Sequence, residues 1–251
     1  MIAGLVLQLM EDPTLTSAKE TFNHPPHRAL YHAVSKQLWS VFQKRVFQFW
    51  SNERALKSRQ VFSKRYYLPL IKPYVSSFSE DLKVLEIGSG PVCAAQYLEK
   101  GHHVYVDPLI DDYRKLFPGV MPEKAEYISI MAEKIELQSS SFNLVLCLDT
   151  LSDVHNPELV MHKVHDVLEQ DGCFIVSMDI WPLWLAWLHY FLFRVVPVLP
   201  QFNRLYSYTH KGFRNTLLRH FEIQEEHLVS PSFSWLLFKK EVLFVCKHKH
   251  D

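Results

Sequence analysis

The sequence predicts an α/β fold: a seven-stranded, mostly parallel sheet with helices on both faces, an antiparallel C-terminal strand pair, and helices ahead of the sheet. Three observations predict it. From residue 83 to about residue 180, short apolar runs alternate with helix-length segments, the rhythm of β-α-β units that place strands parallel. Two of only seven glycines stand at 88 and 90, where the first apolar run turns. The last two strand-like runs are joined by a link too short for a typical crossover, so an antiparallel pair is the simpler reading.

Taken in order, residues 1–80 read as a helical extension. Leu38, Val41, Phe42, Val46 and Phe49 follow the spacing of a buried helix face. A second helical run carries Val61, Phe62 and Tyr66 and is expected to end near Pro69. Between and within these runs stand Lys44, Arg45, Arg54, Lys57, Arg59, Lys64 and Arg65, interleaved with aromatics. Two readings fit them: the solvated face of amphipathic helices, or a patch that meets a phosphate-bearing substrate or an anionic membrane surface.

Residues 81–251 read as one domain. Expected strands are Val84–Ile87, His103–Val106, Tyr127–Met131, Phe142–Leu148 and Cys173–Met178, and the stretch after Gly90 reads as a helix. A further helix is expected over Pro157–Glu169, with Asn156 as N-cap and Gly172 at its end. Then come a helix over Lys211–His220 and strands over Phe221–Leu228 and Glu241–Lys247, with Ser232–Phe238 able to supply a helical turn between them. An apolar insertion, at about 181–210, contains WPLWLAWLHYFLFRVVPVLP. Its prolines, His189 and Arg194 argue against a membrane span. It reads as a helix packed on the N-terminal helices, as an apolar lid over a hydrophobic or lipid-like ligand, or as a peripheral membrane contact.

Composition narrows the function. The chain has 251 residues, 48% of them apolar and 22% charged, as in soluble globular proteins. Lysine plus arginine and aspartate plus glutamate balance at 27 each, so no specific nucleic-acid partner is expected. Cys93, Cys147, Cys173 and Cys246 form no CxxC pair and read as small buried hydrophobes of a reducing, cytoplasmic compartment. MIAGLVLQLM, at residues 1–10, lacks a basic leader, so a signal peptide is not expected. The 14 histidines scatter. Neither the His24–His27 pair nor the KHKHD tail has a second ligand pair, so no metal is expected. Composition leaves the oligomeric state open.

The chemistry concentrates in VLEIGSGP, at residues 84–91. Gly88 and Gly90 let the backbone approach a ligand and aim amides at it. Asp107, at the end of the second strand, is placed to accept hydrogen bonds from two ribose hydroxyls. Glu86 discriminates between cofactors: a pyrophosphate would be repelled by it, and the third glycine of a dinucleotide fingerprint is replaced by Cys93. A cationic adenosine cofactor would favour an acid there.

These segments, with VYVDPL (104–109), MAEKIEL (131–137), SSFNLVLCLDTLSDVHNPELV (140–160) and VLEQDGCFIVSMD (167–179), resemble the class I S-adenosylmethionine-dependent methyltransferases, and among them the type 11 methyltransferase domain. The resemblance covers about 83–180 and implies a Rossmann-like sheet and S-adenosylmethionine as cofactor. It implies that Glu86, Gly88, Ser89 and Gly90 lie near the methionine end, with Asp107 on the ribose and Pro108 and Leu109 flanking the adenine. Met131, Ala132 and Glu133 would meet the adenine edge, and Leu148 and Asp149 would lie beside the methyl group. Two positions depart from the pattern: Val92 where the glycine motif continues, and Met131 where many members carry an acid. Asp149 and His155 follow the fourth strand and are the candidates for a general base; for His155, capping or packing at the next helix is the competing reading. Trp181, Tyr206, Tyr208 and His210 are the candidates for contacts with a small-molecule acceptor. The function expected is methyl transfer to a small, hydrophobic or lipid-like acceptor. The alternatives are a non-catalytic protein that binds the same cofactor, and a nicotinamide-dependent oxidoreductase.

Overall fold

The computed structural model describes residues 33–195, 204–230 and 240–249. The expectations for residues 1–10, the His24–His27 pair, Pro197, Pro200, the 232–238 turn and the tail beyond Lys249 lie outside them. The strands are β1 (Lys83–Ile87), β2 (His102–Val106), β3 (Glu126–Ile128), β4 (Phe142–Leu148), β5 (Leu168–Ile180), β6 (Phe221–Ser230) and β7 (Lys240–His248). They form one seven-stranded sheet in the order β3-β2-β1-β4-β5-β7-β6. The first five pair in parallel. Strand β7 runs antiparallel to both β5 and β6. The predicted α/β class, with its antiparallel C-terminal pair, is the observed one.

The period-2 pattern of the strands divides the core in two. On one face Leu85, Ile87, Val145, Cys147, Phe174, Val176 and Phe244 pack with Val160, Met161 and Val164 of helix α5 (Pro157–Val167) and with Phe213 and Leu217 of α7 (His210–Leu217). Val34, Leu38 and Phe42, at and just before α1 (Lys36–Trp50), belong to the same cluster. On the other face Val84, Leu144, Leu146, Ile175, Leu243 and Val245 share a cluster with Ile110 and Tyr113 of α4 (Ile110–Leu116) and with Tyr67, Ile71 and Val75. Tyr67, Ile71 and Val75 belong to a continuous helical run of α2 (Glu53–Phe62), a π-helical turn (Ser63–Tyr67) and α3 (Leu68–Val75). The N-terminal segment thus supplies side chains to both faces of the sheet core.

That run corrects the expectation of a helix ending near Pro69. Pro69 lacks an N–H and its ring would crowd the carbonyl of Arg65 in a regular α-helix. The wider π-helical turn immediately before it relieves the conflict, and the helix continues to Val75. In α1, Leu38 and Phe42 are buried as expected, but Val41 and Phe49 are exposed. The buried residues of α1 lie in its N-terminal half; Val46, Phe47 and Trp50 pack partly buried against the core, and Phe49 lines a cavity.

Three further boundaries differ from the sequence reading. The helix expected after Gly90 is a four-residue 3-10 turn, Ala94–Tyr97. Six residues, Gly88–Cys93, are spent on the turn itself, and the chain must be back at His102, so one short turn is what remains. Strand β3 ends at Ile128, not Met131. Strand β5 begins at Leu168, so Gly172 lies inside a strand rather than at a helix end. Asn156 does cap α5, its Oδ1 accepting from the Leu159 N–H at 3.3 Å. The insertion contributes α6 (Leu183–Val195). Among the described residues no helix is long and apolar enough to cross a membrane.

Candidate active site

Strand order reverses between β1 and β4: the chain builds outward through β2 and β3 on one side, then through β4 and β5 on the other. In open parallel sheets the crevice beyond the C-terminal strand ends at such a point is where ligands bind. A cavity of about 820 Å³ lies there.

Its floor is built by the turns after β1, β2 and β4. Gly88 and Gly90 adopt left-handed conformations, φ +67° and +58°. Gly88 is required by contact as well, because a Cβ there would stand 2.1 Å from the Thr150 methyl. Thr150 Oγ1 donates to the Gly88 carbonyl at 3.2 Å, tying the β4 turn to the β1 turn. A Cβ on Gly90 would meet nothing within 4 Å. Asp107 braces this floor: its Oδ2 accepts from the Gly90 N–H at 3.0 Å and its Oδ1 from the Leu109 N–H at 2.8 Å. Glu86 acts one layer down. It is buried, does not line the cavity, and accepts from the Ala94 and Ala95 N–H groups at 2.8 Å each. It therefore caps the 3-10 turn and shapes the loop. Desolvation pushes the Asp107 carboxyl up to about 6 and the Glu86 carboxyl up to about 7, against their backbone hydrogen bonds.

The side wall is a buried ion cluster. Arg204 Nη2 reaches Asp149 Oδ2 at 2.5 Å and Asp179 Oδ2 at 3.4 Å, while Nη1 reaches Asp153 Oδ2 at 2.7 Å. Nη1 also donates to the Asp149 carbonyl at 3.2 Å. Burial works against the Arg204 charge, and the three carboxylates more than offset it, raising its pKa. Asp153 is pushed up to about 7, by burial first and by the Asp149 charge, with Arg204 opposing. Asp149 has φ +58° and a buried Oδ1 with no hydrogen-bond partner. The roof comes from α1 and α2, which present Trp39, Phe49, Trp50, Arg45, Arg54 and Arg59. Beneath the roof, Tyr67 Oη donates to Glu241, and Ser177 Oγ donates to the same carboxylate oxygen at 2.7 Å.

The structure brings together Gly88, Ser89, Gly90, Asp107, Pro108, Met131, Ala132, Glu133, Leu148 and Asp149 as cavity lining. Glu133 is braced as well, its Oε1 accepting from the Asn156 N–H at 2.7 Å. Leu109 lies beside them, held through its N–H by Asp107. His155 is elsewhere: its carbonyl accepts from the Tyr206 hydroxyl at 2.7 Å and from the Val34 N–H at 3.2 Å, and it does not line the cavity. Nor do the four acceptor candidates. Trp181 is buried beside Leu185 and Ala186. Tyr206 and Tyr208 are in the core, and His210 pairs with Glu226 at 2.9 Å. Sequence reasoning missed Arg204, Asp153, Trp39 and Trp50; Arg45, Arg54 and Arg59 stood in the basic patch read from the sequence, and Phe49 on the apolar stripe of α1. One signal was present: acids ending two neighbouring strands, Asp149 and Asp179, require a buried cation. Among the described residues no three His, Cys, Asp or Glu side chains are grouped to hold a metal ion.

Residues 85–176 match the family model described as a methyltransferase domain. No curated protein sequence matches the chain. Among solved structures, an N1-methyltransferase of Burkholderia thailandensis, with bound 1,6-didemethyltoxoflavin and S-adenosylhomocysteine, is 14% identical with a TM-score of 0.60, over 90% of this chain and all (100%) of that one. A putative methyltransferase in complex with the Haloferax volcanii Trm112 activator is 10% identical with a TM-score of 0.54, over 85% and 95%. The [4+2]-cyclase SpnF is 10% identical with a TM-score of 0.53, over 78% and 82%. At these identities the likeness establishes the fold.

Proposed function

We propose that the chain, whose residues 85–176 match a methyltransferase-domain model, moves a methyl group from S-adenosylmethionine to a small acceptor with an apolar body. The observation that carries the proposal is a single cavity at the switch point with two unlike ends. One end is glycine turns and carboxylates; the other is aromatic rings. Its volume of about 820 Å³ lies high in the range of roughly 300–1,000 Å³ typical of ligand pockets, which suits a cofactor and an acceptor side by side.

The residues fit the cofactor. The open space over Gly90 and the acids at the floor suit a cationic adenosine compound. Gly88, Ser89, Gly90 and Asp107 would hold its methionine and ribose parts, and Pro108, Ala132 and Glu133 the adenine. When bound it supplies an electrophilic methyl group on a sulfonium. The chain's own task is then alignment and exclusion of water, which supplies much of the acceleration in a displacement of this kind. The roof rings do the excluding. Arg204 engages Asp149 through Oδ2 at 2.5 Å, which leaves Oδ1, buried and without a partner, as the atom to accept a proton or a hydrogen bond from a bound group. The small-molecule ligand of the Burkholderia neighbour supports an acceptor of that size. Four free, buried cysteines support a cytoplasmic, reducing location.

A second reading is favoured by one observation. The glycine turn leads into a 3-10 turn of four residues where a helix N-terminus was expected, which weakens the amide array offered to a ligand. That fits a protein that binds the cofactor without turnover. A thermal-shift series tests both. We expect S-adenosylhomocysteine to raise the melting temperature and NAD(H) and NADP(H) to leave it unchanged; the opposite pattern would overturn the proposal. Stabilisation without methyl transfer to any compound in an acceptor panel would favour the second reading.

A further inference from the structure

The roof carries a charge asymmetry that the methyltransferase reading does not use. The whole chain balances 27 basic against 27 acidic residues. Residues 33–75 do not: the bases are Lys36, Lys44, Arg45, Arg54, Lys57, Arg59, Lys64, Arg65 and Lys72, and the one acid is Glu53. Glu53 already faces Lys57 at 3.6 Å.

Three of those bases, Arg45, Arg54 and Arg59, line the cavity. Arg59 has neighbours. Its guanidinium lies 4.9 Å from the Tyr67 ring centroid and 5.6 Å from that of Phe62, within the fields of Asp149 and Glu241. Arg45 and Arg54 have no ion-pair partner among the described residues. Partial burial lowers the Arg45 pKa with no carboxylate offsetting it. The carboxylates below are committed elsewhere: Asp149, Asp153 and Asp179 share Arg204, Asp107 holds two amides, and Glu133 holds a third. The uncompensated charge at the aromatic end of the cavity is therefore positive. A partly desolvated cation without a counter-ion is costly, and a ligand that supplies the counter-ion recovers that cost. Low-dielectric walls around such charges also raise the local concentration of oppositely charged ligands.

We propose that the acceptor is an amphipathic anion, an apolar body bearing one carboxylate, sulfonate or phosphate, with its charge on Arg45 and Arg54 and its body against Trp39, Phe49 and Trp50. The inference rests on the methyltransferase reading for the word acceptor, but the binding preference does not depend on turnover. Guanidinium groups suit such ligands because their planar fork can meet two oxygens at once. That both arginines line a cavity together with Trp39, Phe49 and Trp50 favours a small ligand over a membrane surface.

The test is isothermal titration of two matched probes, 2-naphthoate and 2-naphthamide, each with and without saturating S-adenosylhomocysteine. We expect naphthoate to bind at least about tenfold more tightly than the amide, and the preference to shrink as salt is added. In the Arg45→Gln/Arg54→Gln double variant the preference should vanish while S-adenosylhomocysteine affinity stays within about twofold. The single Arg54→Gln variant, at an exposed position, should lose part of the preference and serves if the double variant does not fold. Equal binding of the two probes to the unaltered chain would overturn the proposal, as would an unchanged preference in the variants. Sedimentation with phosphatidylglycerol vesicles, lost in the double variant and unaccompanied by any naphthoate preference, would overturn it in favour of a membrane surface. Failure of S-adenosylhomocysteine to bind, with the naphthoate preference intact, would count against the methyltransferase reading alone.

Discussion

At the scale of single residues, Gly88 and Gly90 look alike in sequence and differ in what surrounds them. Both hold positive φ, a conformation that costs a residue with a Cβ roughly 1–2 kcal/mol. At Gly88 the added methyl also collides with Thr150, and overpacking of this kind costs about 1–3 kcal/mol more. Gly88→Ala should therefore lower stability by about 2–5 kcal/mol in urea denaturation. Gly90→Ala should cost only the conformational part, yet weaken S-adenosylhomocysteine binding more than tenfold, because its methyl projects into open space at the cavity floor. Equal stability losses for the two variants would refute this assignment of roles. The contrast also marks what the sequence made legible. Gly88, Gly90, Asp107 and Asp149 stand at strand ends, and strand ends are readable from local pattern. The contacts of Glu86 were not readable: an acid that meets a cofactor and an acid that caps a turn look the same in one dimension. Arg204 was further out of reach, since it meets Asp149 and Asp153 across 55 and 51 residues of chain.

At the scale of elements, the alternating strands were legible because burial imposes a period of two, whereas the lengths of the connections depend on what else covers the sheet. The β1–β2 connection holds only a four-residue 3-10 turn, and the N-terminal run through Tyr67, Ile71 and Val75 packs on that face of the sheet. Helix α1 shows the same limit. One apolar stripe buries Phe42 between the core and the cavity and leaves Phe49 exposed at the cavity, and periodicity alone does not separate the two. The joint between elements that matters most is Arg204, which links the turn after β4, the end of β5 and the segment leading to α7. Its side chain is 16% exposed and its three partners 18–23%, so the cluster is largely shielded from water. Removing one side of a buried ion pair typically costs about 3–5 kcal/mol, because the remaining charges stay uncompensated. Arg204→Met should reach that range, and Arg204→Lys should fall between, since a single ammonium cannot span three carboxylates in the geometry of the fork. A loss for Arg204→Met below about 1 kcal/mol, by chemical denaturation, would show that solvent screens the cluster.

At the scale of the whole molecule, the cavity and the layer beneath it gather carboxyls that burial holds protonated well above their ordinary range. Desolvation is the leading cause in each: Glu86 and Glu241 rise from 4.5 to about 7, Asp107 from 3.8 to about 6, and Asp153 from 3.8 to about 7. A folded state that binds these protons more tightly than the unfolded chain is stabilised at low pH. That contribution is complete below about pH 4 and is lost as pH rises through the folded values near 6 to 7. His103 and His165, whose pKa values burial lowers, act in the opposite sense below about pH 6.5, and Glu158, held low by His220 and Arg219 against desolvation, does so below about pH 4.5. The four carboxyls outnumber them in the window from about 5 to 7.5. The ligand-free chain should therefore melt at a higher temperature at pH 5.5 than at pH 8. A cationic ligand reverses the sign, because it favours the ionised carboxylates; the melting-temperature increase given by S-adenosylmethionine should be larger at pH 8 than at pH 5.5. Glu86→Gln removes one titrating group while retaining an oxygen for one of the two amides it holds, and should flatten the ligand-free profile without changing its direction. A ligand-free melting temperature that climbs from pH 5.5 to 8 would mean that water reaches these carboxyls, and the cavity floor would then be open rather than sealed by the turns that Asp107 and Glu86 brace.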